Sequence, residues 1–193
     1  MAGQRYDTSR HLSHFLAIPW CAERLQDPGT EVILPPGRTT RDDARIVEEE
    51  LWATTLNTPE TFPAFIAFYR RPASPAAVVD RVEALAAADR GLAGFPGMMH
   101  GGIVATLLDG IAGLVPGVNQ QRGALPGTRF VTGYLNTTYS RPVPVPGVLL
   151  LTASLVRREG RKLFVEATVQ DDKGVVLSKA DVLFIETRAR SKL

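Results

Sequence analysis

The sequence contains little cysteine, little histidine and no marked surplus of either charge. Its one cysteine, Cys21, excludes an internal disulfide and favours a reducing compartment. With three histidines and one cysteine there is no cluster with the spacing of metal ligands, so no metal and no redox cofactor is expected. The 22 basic and 20 acidic residues are spread along the 193-residue chain, which is not typical of a nucleic-acid-binding protein.

Long uninterrupted apolar runs and a secretory signal pattern are also missing, so neither a membrane span nor secretion is expected. The expected location is therefore cytoplasmic. Arg5 and Arg10 stand in a region with few acids, which leaves a mitochondrial location as the alternative. Residues 14–25, HFLAIPWCAERL, nevertheless favour a docking segment over a removable presequence.

The composition changes near residue 62, and two regions are predicted. Residues 1–62 form an N-terminal extension that packs on a core domain, residues 63–190. Prolines and glycines interrupt residues 26–41, which predicts an extended connector. A helix is expected after it, capped by Asp42 or Asp43 and ending before Pro59.

The core domain has the pattern of an antiparallel sheet with one helix, so the predicted fold class is α+β. Residues 78–93 are ambiguous, because their alanines and leucines favour a helix whereas their position favours a strand. Alternation of apolar and polar residues is clearest over 162–171. The predicted strands are 64–69, 128–140, 148–157, 162–171 and 175–187, the last four joined as successive hairpins.

The segment 94–117, GFPGMMHGGIVATLLDGIAGLVPG, is the most informative part of the chain. A Gly-rich turn and His100 precede a helix predicted over 101–115, which is apolar on nearly every side and therefore buried. That helix carries a single acid, Asp109. An ionised carboxylate in an apolar element needs a charged partner, a proton or a chemical role.

These residues resemble a known family. His100-Gly101-Gly102 followed by Asp109 resembles the signature of hot-dog fold acyl-CoA thioesterases, in the branch of the human thioesterase superfamily members and their fungal relatives. Residues 132–142, TGYLNTTYSRP, and 159–162, EGRK, resemble the same branch. The resemblance implies a hot-dog fold, in which an antiparallel curved sheet wraps around one long central helix.

The resemblance also implies an activity, which is hydrolysis of an acyl-CoA or acyl-carrier-protein thioester to a free acid and a thiol. It implies a homodimer or a tetramer, no cofactor, and a place in lipid or polyketide metabolism. Asp109 would act as general base or nucleophile, and Thr132 of the partner subunit would orient the water. Asp109 lies nine residues after His100, so the two are not neighbours on the helix.

The helix start would stabilise the oxygen that gains negative charge, because its first N–H groups are unpaired and the helix dipole favours an anion. Gly102 is expected to be the principal donor, with His100 shaping the site by hydrogen bonding. Substrate-binding positions are expected at Gly101, where no Cβ blocks the backbone, and at three residues of the second motif. These three are Asn136, Tyr139 and Arg141.

Two other functions remain open on the same residues. A dehydratase or hydratase acting on acyl thioesters would pair a histidine with an acid across the active site. An acyl-thioester-binding protein without turnover would need neither Asp109 nor Thr132, although both are present.

Overall fold

The structure is a computed structural model that describes residues 9–35, 50–126 and 128–187. Within these residues one long helix packs against a seven-stranded antiparallel sheet, which confirms the α+β class. The helix contacts five of the strands, so the sheet is folded around it. The main hydrophobic core lies between the two.

The described residues form nine strands and three α-helices. The order in the large sheet is β1-β2-β3-β7-β8-β9-β6, and β4 and β5 form a separate small hairpin. The strands are β1 Thr30–Ile33, β2 Ala64–Arg70, β3 Arg81–Ala88, β4 Ala93–Phe95, β5 Met98–Met99, β6 Phe130–Tyr139, β7 Gly147–Glu159, β8 Lys162–Gln170 and β9 Val176–Glu186. The helices are α1 Ser9–Leu16, α2 Pro19–Leu25 and α3 Gly101–Gln121, with a π-helical turn at Leu51–Thr55 and a 3-10 turn at Arg90–Leu92.

The N-terminal helices cover the outer face of the sheet. Phe15, Cys21 and Leu25 are buried against apolar side chains of β2, β3 and β7. Strand β2 is therefore buried on both faces, which explains its continuous apolar sequence, AFIAFY. The division of the chain into an N-terminal extension of residues 1–62 packing on a core of residues 63–190 stays a prediction.

The central helix is longer than its sequence pattern indicates. The prediction ended at Val115 because proline interrupts helices, but α3 continues through Pro116 to Gln121. Pro116 has no backbone N–H, so one hydrogen bond of the helix is missing at this position. The side chain of Asn119 donates to the Val115 carbonyl at 2.8 Å and also anchors this end of the helix to Val79.

By length and composition alone, α3 would qualify as a membrane span. Half of its most apolar stretch is buried inside the protein, as in the core helix of a globular domain. The expectation that no segment of the chain is long and apolar enough was therefore wrong for Gly101–Gln121. The helix is apolar because the sheet folds around it and buries much of its surface.

The structure decides one open alternative and corrects two secondary-structure predictions. Residues 81–88 of the ambiguous segment form β3, because pairing with β2 and β7 on either side outweighs the helical propensity of alanine. Residues 30–33 of the predicted connector form the edge strand β1, paired with β2. The meander comprises only β7, β8 and β9, since β6 pairs with β9 and not with β7.

The helix predicted near residues 42–56 is only partly described. Residues 36–49, with both proposed caps, lie outside the described residues. The part that is described is the π-helical turn Leu51–Thr55, which ends before Pro59 as expected.

Candidate active site

Asp109 lies at the middle of α3, half-buried, with its carboxylate directed towards the edge strand β6. The Thr132 hydroxyl donates a hydrogen bond to Asp109 Oδ1 at 3.0 Å. The resemblance implied that this threonine comes from the partner subunit. In the structure the bond joins Asp109 to Thr132 of the same chain, and a contribution from the partner subunit stays a prediction.

A β-bulge beside Thr132 explains the direction of its side chain. The register between β6 and β9 shifts between Thr132 and Tyr134, which leaves Gly133 as an extra residue. A Cβ at Gly133 would lie 3.0 Å from Ile185 Cδ1, tighter than nearly all such contacts. Bulges are common next to active sites because they re-aim a side chain, and this bulge turns Thr132 towards the helix.

The start of α3 is organised by His100, which is its N-cap. His100 Nδ1 accepts a hydrogen bond from the Gly102 N–H at 3.0 Å. Nδ1 therefore carries no proton in this arrangement, and the proton of a neutral imidazole lies on Nε2. The Gly102 N–H was predicted to be the open donor of the site. It is instead paired with His100, whereas the Gly101 N–H has no acceptor in the part of the chain that the structure describes.

Tyr139 connects the end of β6 to the start of α3. Its hydroxyl donates to the Gly101 carbonyl at 3.1 Å. Of the other two proposed substrate-binding residues, Arg141 lines the same cavity at the start of α3 as Tyr139, whereas Asn136 does not line it. Arg141 donates to the Val176 carbonyl at 3.2 Å in the turn that leaves β6, and Asn136 is exposed in the middle of the strand, opposite Asp181.

The residues predicted to carry the chemistry form two groups in one chain. One is the pair of Asp109 and Thr132, and the other is the turn from His100 to Gly102. Gly102 and Asp109 are seven residues apart on α3, which is about 10 Å at the rise of an α-helix. A single carbonyl group cannot contact both groups at hydrogen-bond distance.

A cavity of about 660 Å³ begins at Asp109 and follows one side of α3. This volume is in the range of small-molecule binding pockets, roughly 300 to 1,000 Å³. Its wall is formed by α3 between Asp109 and Gln121, by Phe65 and Phe184 of the sheet, by residues 129–131, and by Trp52 and residues 33–35 of the N-terminal region. A second cavity of about 410 Å³ lies at the start of α3, between His100, Tyr139 and the β4–β5 hairpin.

Several residues of the larger cavity were missed by the sequence reading. Gly113 and Gly117 follow Asp109 at intervals of four residues, which places all three on one face of the helix. This spacing is visible in the sequence and could have been used. Trp52 had no comparable signal, because its position depends on how the N-terminal region folds back on the core.

Comparison with known sequences agrees with the geometry. Residues 96–178 match the thioesterase superfamily. The chain is 36% identical over 99 residues to acyl-coenzyme A thioesterase THEM4 of Mus musculus, an alignment covering 49% of this chain and 38% of that protein. It therefore spans well under half of that relative. Verlamelin biosynthesis protein B of Lecanicillium sp is 25% identical over 215 residues, covering 95% of this chain and 92% of that protein.

Solved structures share the fold. A hypothetical thioesterase protein from Streptococcus pneumoniae TIGR4, solved with coenzyme A, superimposes with a TM-score of 0.50 at 23% identity, covering 58% of this chain and 82% of that chain. Zebra fish thioesterase superfamily member 2 gives a TM-score of 0.50 at 19% identity, with 57% and 78% coverage. These likenesses show the fold, and the family match covers the helix and the strands beside it. Residues 96–178 therefore match the thioesterase superfamily, and the chain has the hot-dog fold of these solved structures.

Proposed function

We propose that this protein hydrolyses an acyl thioester, carried by coenzyme A or by an acyl-carrier protein, to a free acid and a thiol. The observation that carries the proposal is the hydrogen-bonded pair of Asp109 and Thr132, with Asp109 in the wall of a cavity that is lined by both apolar and polar side chains. Relatives named acyl-coenzyme A thioesterase support it, as does the pneumococcal protein of the same fold that was solved with coenzyme A.

The chemistry follows from the groups present. Asp109 either takes a proton from a water that attacks the thioester carbonyl or attacks that carbonyl itself. Thr132 holds the carboxylate in one orientation, and its hydroxyl oxygen can also accept a hydrogen bond from the water. The C–S bond breaks, the hydroxyl of the water ends on the acyl carbon, and its proton ends on the thiol. The charge on the carbonyl oxygen needs separate donors.

Those donors are at the start of α3, and the distance along the helix requires that a second copy of the chain supply them. The Gly101 N–H, which has no acceptor among the described residues, and the positive end of the helix dipole suit a developing oxyanion. Since this group and Asp109 of one chain cannot meet at one carbonyl, the proposed site joins Asp109 and Thr132 of one subunit to the Gly101 turn of another. The proposed assembly is therefore a homodimer, with a tetramer as a further step.

Strand β6 is the proposed contact between subunits. It is an edge strand of ten residues, whereas β1 at the other edge has four. Val131 is 49% exposed and Tyr139 is 55% exposed, although both are large apolar or aromatic side chains. A long edge strand with exposed apolar residues favours pairing with another chain.

The first test is thiol release from a panel of acyl-CoAs of increasing chain length. Wild type should hydrolyse some members, and Asp109→Asn should lose a factor of about a hundred or more while staying folded. Asp172→Asn, at the exposed turn between β8 and β9, is the control and should retain full activity. Lack of release from every acyl-CoA and from acyl-carrier protein would contradict the proposal. A new double bond in a 3-hydroxyacyl thioester would favour the lyase.

The second test asks whether the site is shared between subunits. Gly101→Pro removes the proposed donor yet suits the first position of a helix, and His100 has the φ of −63° and ψ of 134° that a following proline favours. Gly101→Ala keeps the N–H but adds a Cβ, so it separates the effect of the lost donor from the effect of added bulk. Mixing equal amounts of Gly101→Pro and Asp109→Asn, each inactive alone, should restore about a quarter of wild-type activity, since half of the dimers are mixed and each holds one intact site. No recovery after verified subunit exchange would contradict a shared site.

For the cellular location we propose the cytoplasm, with the mitochondrion as the alternative. The free thiol of Cys21, buried on the inner side of α2, is compatible with either reducing compartment. Fractionation of cells that produce the tagged chain distinguishes the two.

A further inference from the structure

The N-terminal region contributes directly to the larger cavity. A Cβ built at Gly110, the residue after Asp109, would lie 2.6 Å from Trp52 Cζ2, so only glycine at this position lets the indole lie against the helix. Trp52 also packs on Phe65, with ring centroids 5.6 Å apart, and on Phe62, at 6.1 Å. Phe62 and Phe65 are buried, so the indole is fixed between α3 and the sheet next to the proposed catalytic acid.

The far side of the same cavity is open because α3 lacks side chains there. A Cβ at Gly117 would have no heavy atom within 4 Å, and one at Gly113 would meet only Phe184 Cζ, at 4.0 Å. Gly117 lies two turns beyond Asp109 on the same face, about 12 Å away along the helix. A larger side chain at Gly117 would therefore fill cavity space without displacing protein atoms.

The end of the cavity is polar. Gln120 and Gln121 lie there with Arg129, and the Gln120 side-chain amide donates to the carbonyls of Pro126 and Thr128. The distance from Asp109 to Gln121 is about 18 Å along α3. The cavity thus extends from Asp109, the proposed catalytic acid, to polar groups at the end of α3.

We propose that Trp52 sets the width and Gly117 the usable length of the acyl channel, so that the protein takes a long, unbranched, apolar acyl group. The inference rests on the proposed thioesterase function. It assigns the choice of substrate to one residue of the N-terminal region and one of the central helix. A bulky group branched close to the thioester meets the indole, and a chain long enough to reach Gly117 gains apolar contact that a short chain does not.

The test of length uses the series Gly117→Ala, Gly117→Val and Gly117→Leu. Alanine is the matched control, because it removes the helix penalty of glycine while adding only one carbon. With Gly117→Leu, kcat/KM for the longest acyl-CoA that wild type accepts should fall at least about tenfold, while short acyl-CoAs are unaffected. Valine should lie between alanine and leucine. An unchanged chain-length profile in Gly117→Leu would overturn the assignment of length to this residue.

The test of width is Trp52→Ala. This variant should gain activity at least about tenfold towards an acyl-CoA branched next to the carbonyl, relative to the straight-chain substrate. Trp52→Phe is the conservative variant and should keep the wild-type preference. Loss of folding in Trp52→Ala leaves Trp52→Leu as the substitute, with the same expected direction. A folded Trp52 variant with the wild-type preference would overturn the assignment of width.

A binding measurement separates this inference from the proposed function. Free straight-chain fatty acids of increasing length are titrated calorimetrically into wild type and Gly117→Leu, with no hydrolysis required. If no thioester is cleaved but Gly117→Leu still loses binding of the long acids, the channel stands and the thioesterase proposal fails. If Asp109-dependent hydrolysis occurs but Gly117→Leu changes neither binding nor the hydrolysis profile, the channel inference fails and the thioesterase proposal stands.

Discussion

The Thr132 hydroxyl donates to the Asp109 carboxylate at 3.0 Å, which links the edge strand to the middle of the central helix. This bond uses one lone pair of one oxygen, so the rest of the carboxylate stays available to a water. The bond also joins β6 to α3 next to the β-bulge at Gly133. Thr132 is therefore a positioning group for Asp109 as well as a candidate contact of the water.

The first prediction concerns this bond. Thr132→Val keeps the shape of the side chain but removes the hydroxyl, and we expect kcat for thioester hydrolysis to fall by roughly ten- to a hundredfold. Thr132→Ser keeps the hydroxyl and should retain most of the rate. Steady-state kinetics with the best acyl-CoA provides the measurement. Equal losses in the two variants would mean that the hydroxyl is not what matters at this position.

The second prediction concerns the cap of α3. His100→Ala leaves the Gly102 N–H without its acceptor, and we expect a loss of about 1 kcal/mol in the free energy of unfolding. His100→Asn supplies an oxygen acceptor and should recover that loss together with most of the hydrolysis rate. Urea unfolding and kcat are measured on the same preparations. If asparagine restores stability but leaves kcat as low as alanine does, the imidazole contacts the reacting atoms and is more than a cap.

The strands could be predicted from the sequence because their signal is local. Alternation along β8 puts Leu163, Val165, Ala167 and Val169 on the buried face, and such a pattern requires no knowledge of the neighbouring strands. Partner choice is not local. Strand β6 was expected to form a hairpin with β7, the next strand along the chain, but it pairs with β9 at the edge of the sheet. Nothing within β6 specifies which strand it joins.

The site was predictable to a similar extent. The lone acid in an apolar helix identified Asp109, and the resemblance supplied Thr132 and the His100–Gly102 turn. The sequence could not show that the Gly102 N–H donates a hydrogen bond to His100 Nδ1, since that bond depends on the backbone conformation at the N-cap of the helix. Nor could it bring Trp52 against Gly110, because that contact joins residues 58 positions apart through the packing of the N-terminal region.

The third prediction concerns Asn119, which is fully buried at the end of α3. Its Oδ1 accepts from the Val79 N–H, and its Nδ2 donates to the carbonyls of Val79 and Val115, all at 2.8 Å. Asn119→Ala leaves the buried Val79 backbone unpaired, and we expect the free energy of unfolding to fall by about 2 to 4 kcal/mol. Asn136→Ala, at an exposed asparagine, is the control and should change it by less than about 0.5 kcal/mol. A loss below about 1 kcal/mol in Asn119→Ala would mean that solvent reaches Val79.

The fourth prediction is a pH dependence of stability that arises from Cys21. Burial raises the pKa of its thiol from 9.0 to about 12, against the opposing effect of the nearby Arg24. In the unfolded chain the thiol ionises near its ordinary pKa, so between about pH 9 and pH 12 the unfolded state releases a proton that the folded state keeps. The contribution of Cys21 is therefore fully present below about pH 9 and is lost as the pH rises through that window.

The measurement is urea unfolding of wild type and Cys21→Ala at a series of pH values from neutral upward. Cys21→Ala removes packing against β2 and starts from a lower stability, so the slope with pH is compared and not the absolute value. Below about pH 8 the two curves should run parallel, and above about pH 9 wild type should lose stability more steeply, because only wild type carries the thiol. Parallel curves across the whole range would show that the thiol ionises equally easily in both states, which would require solvent access to Cys21 between α2 and the sheet.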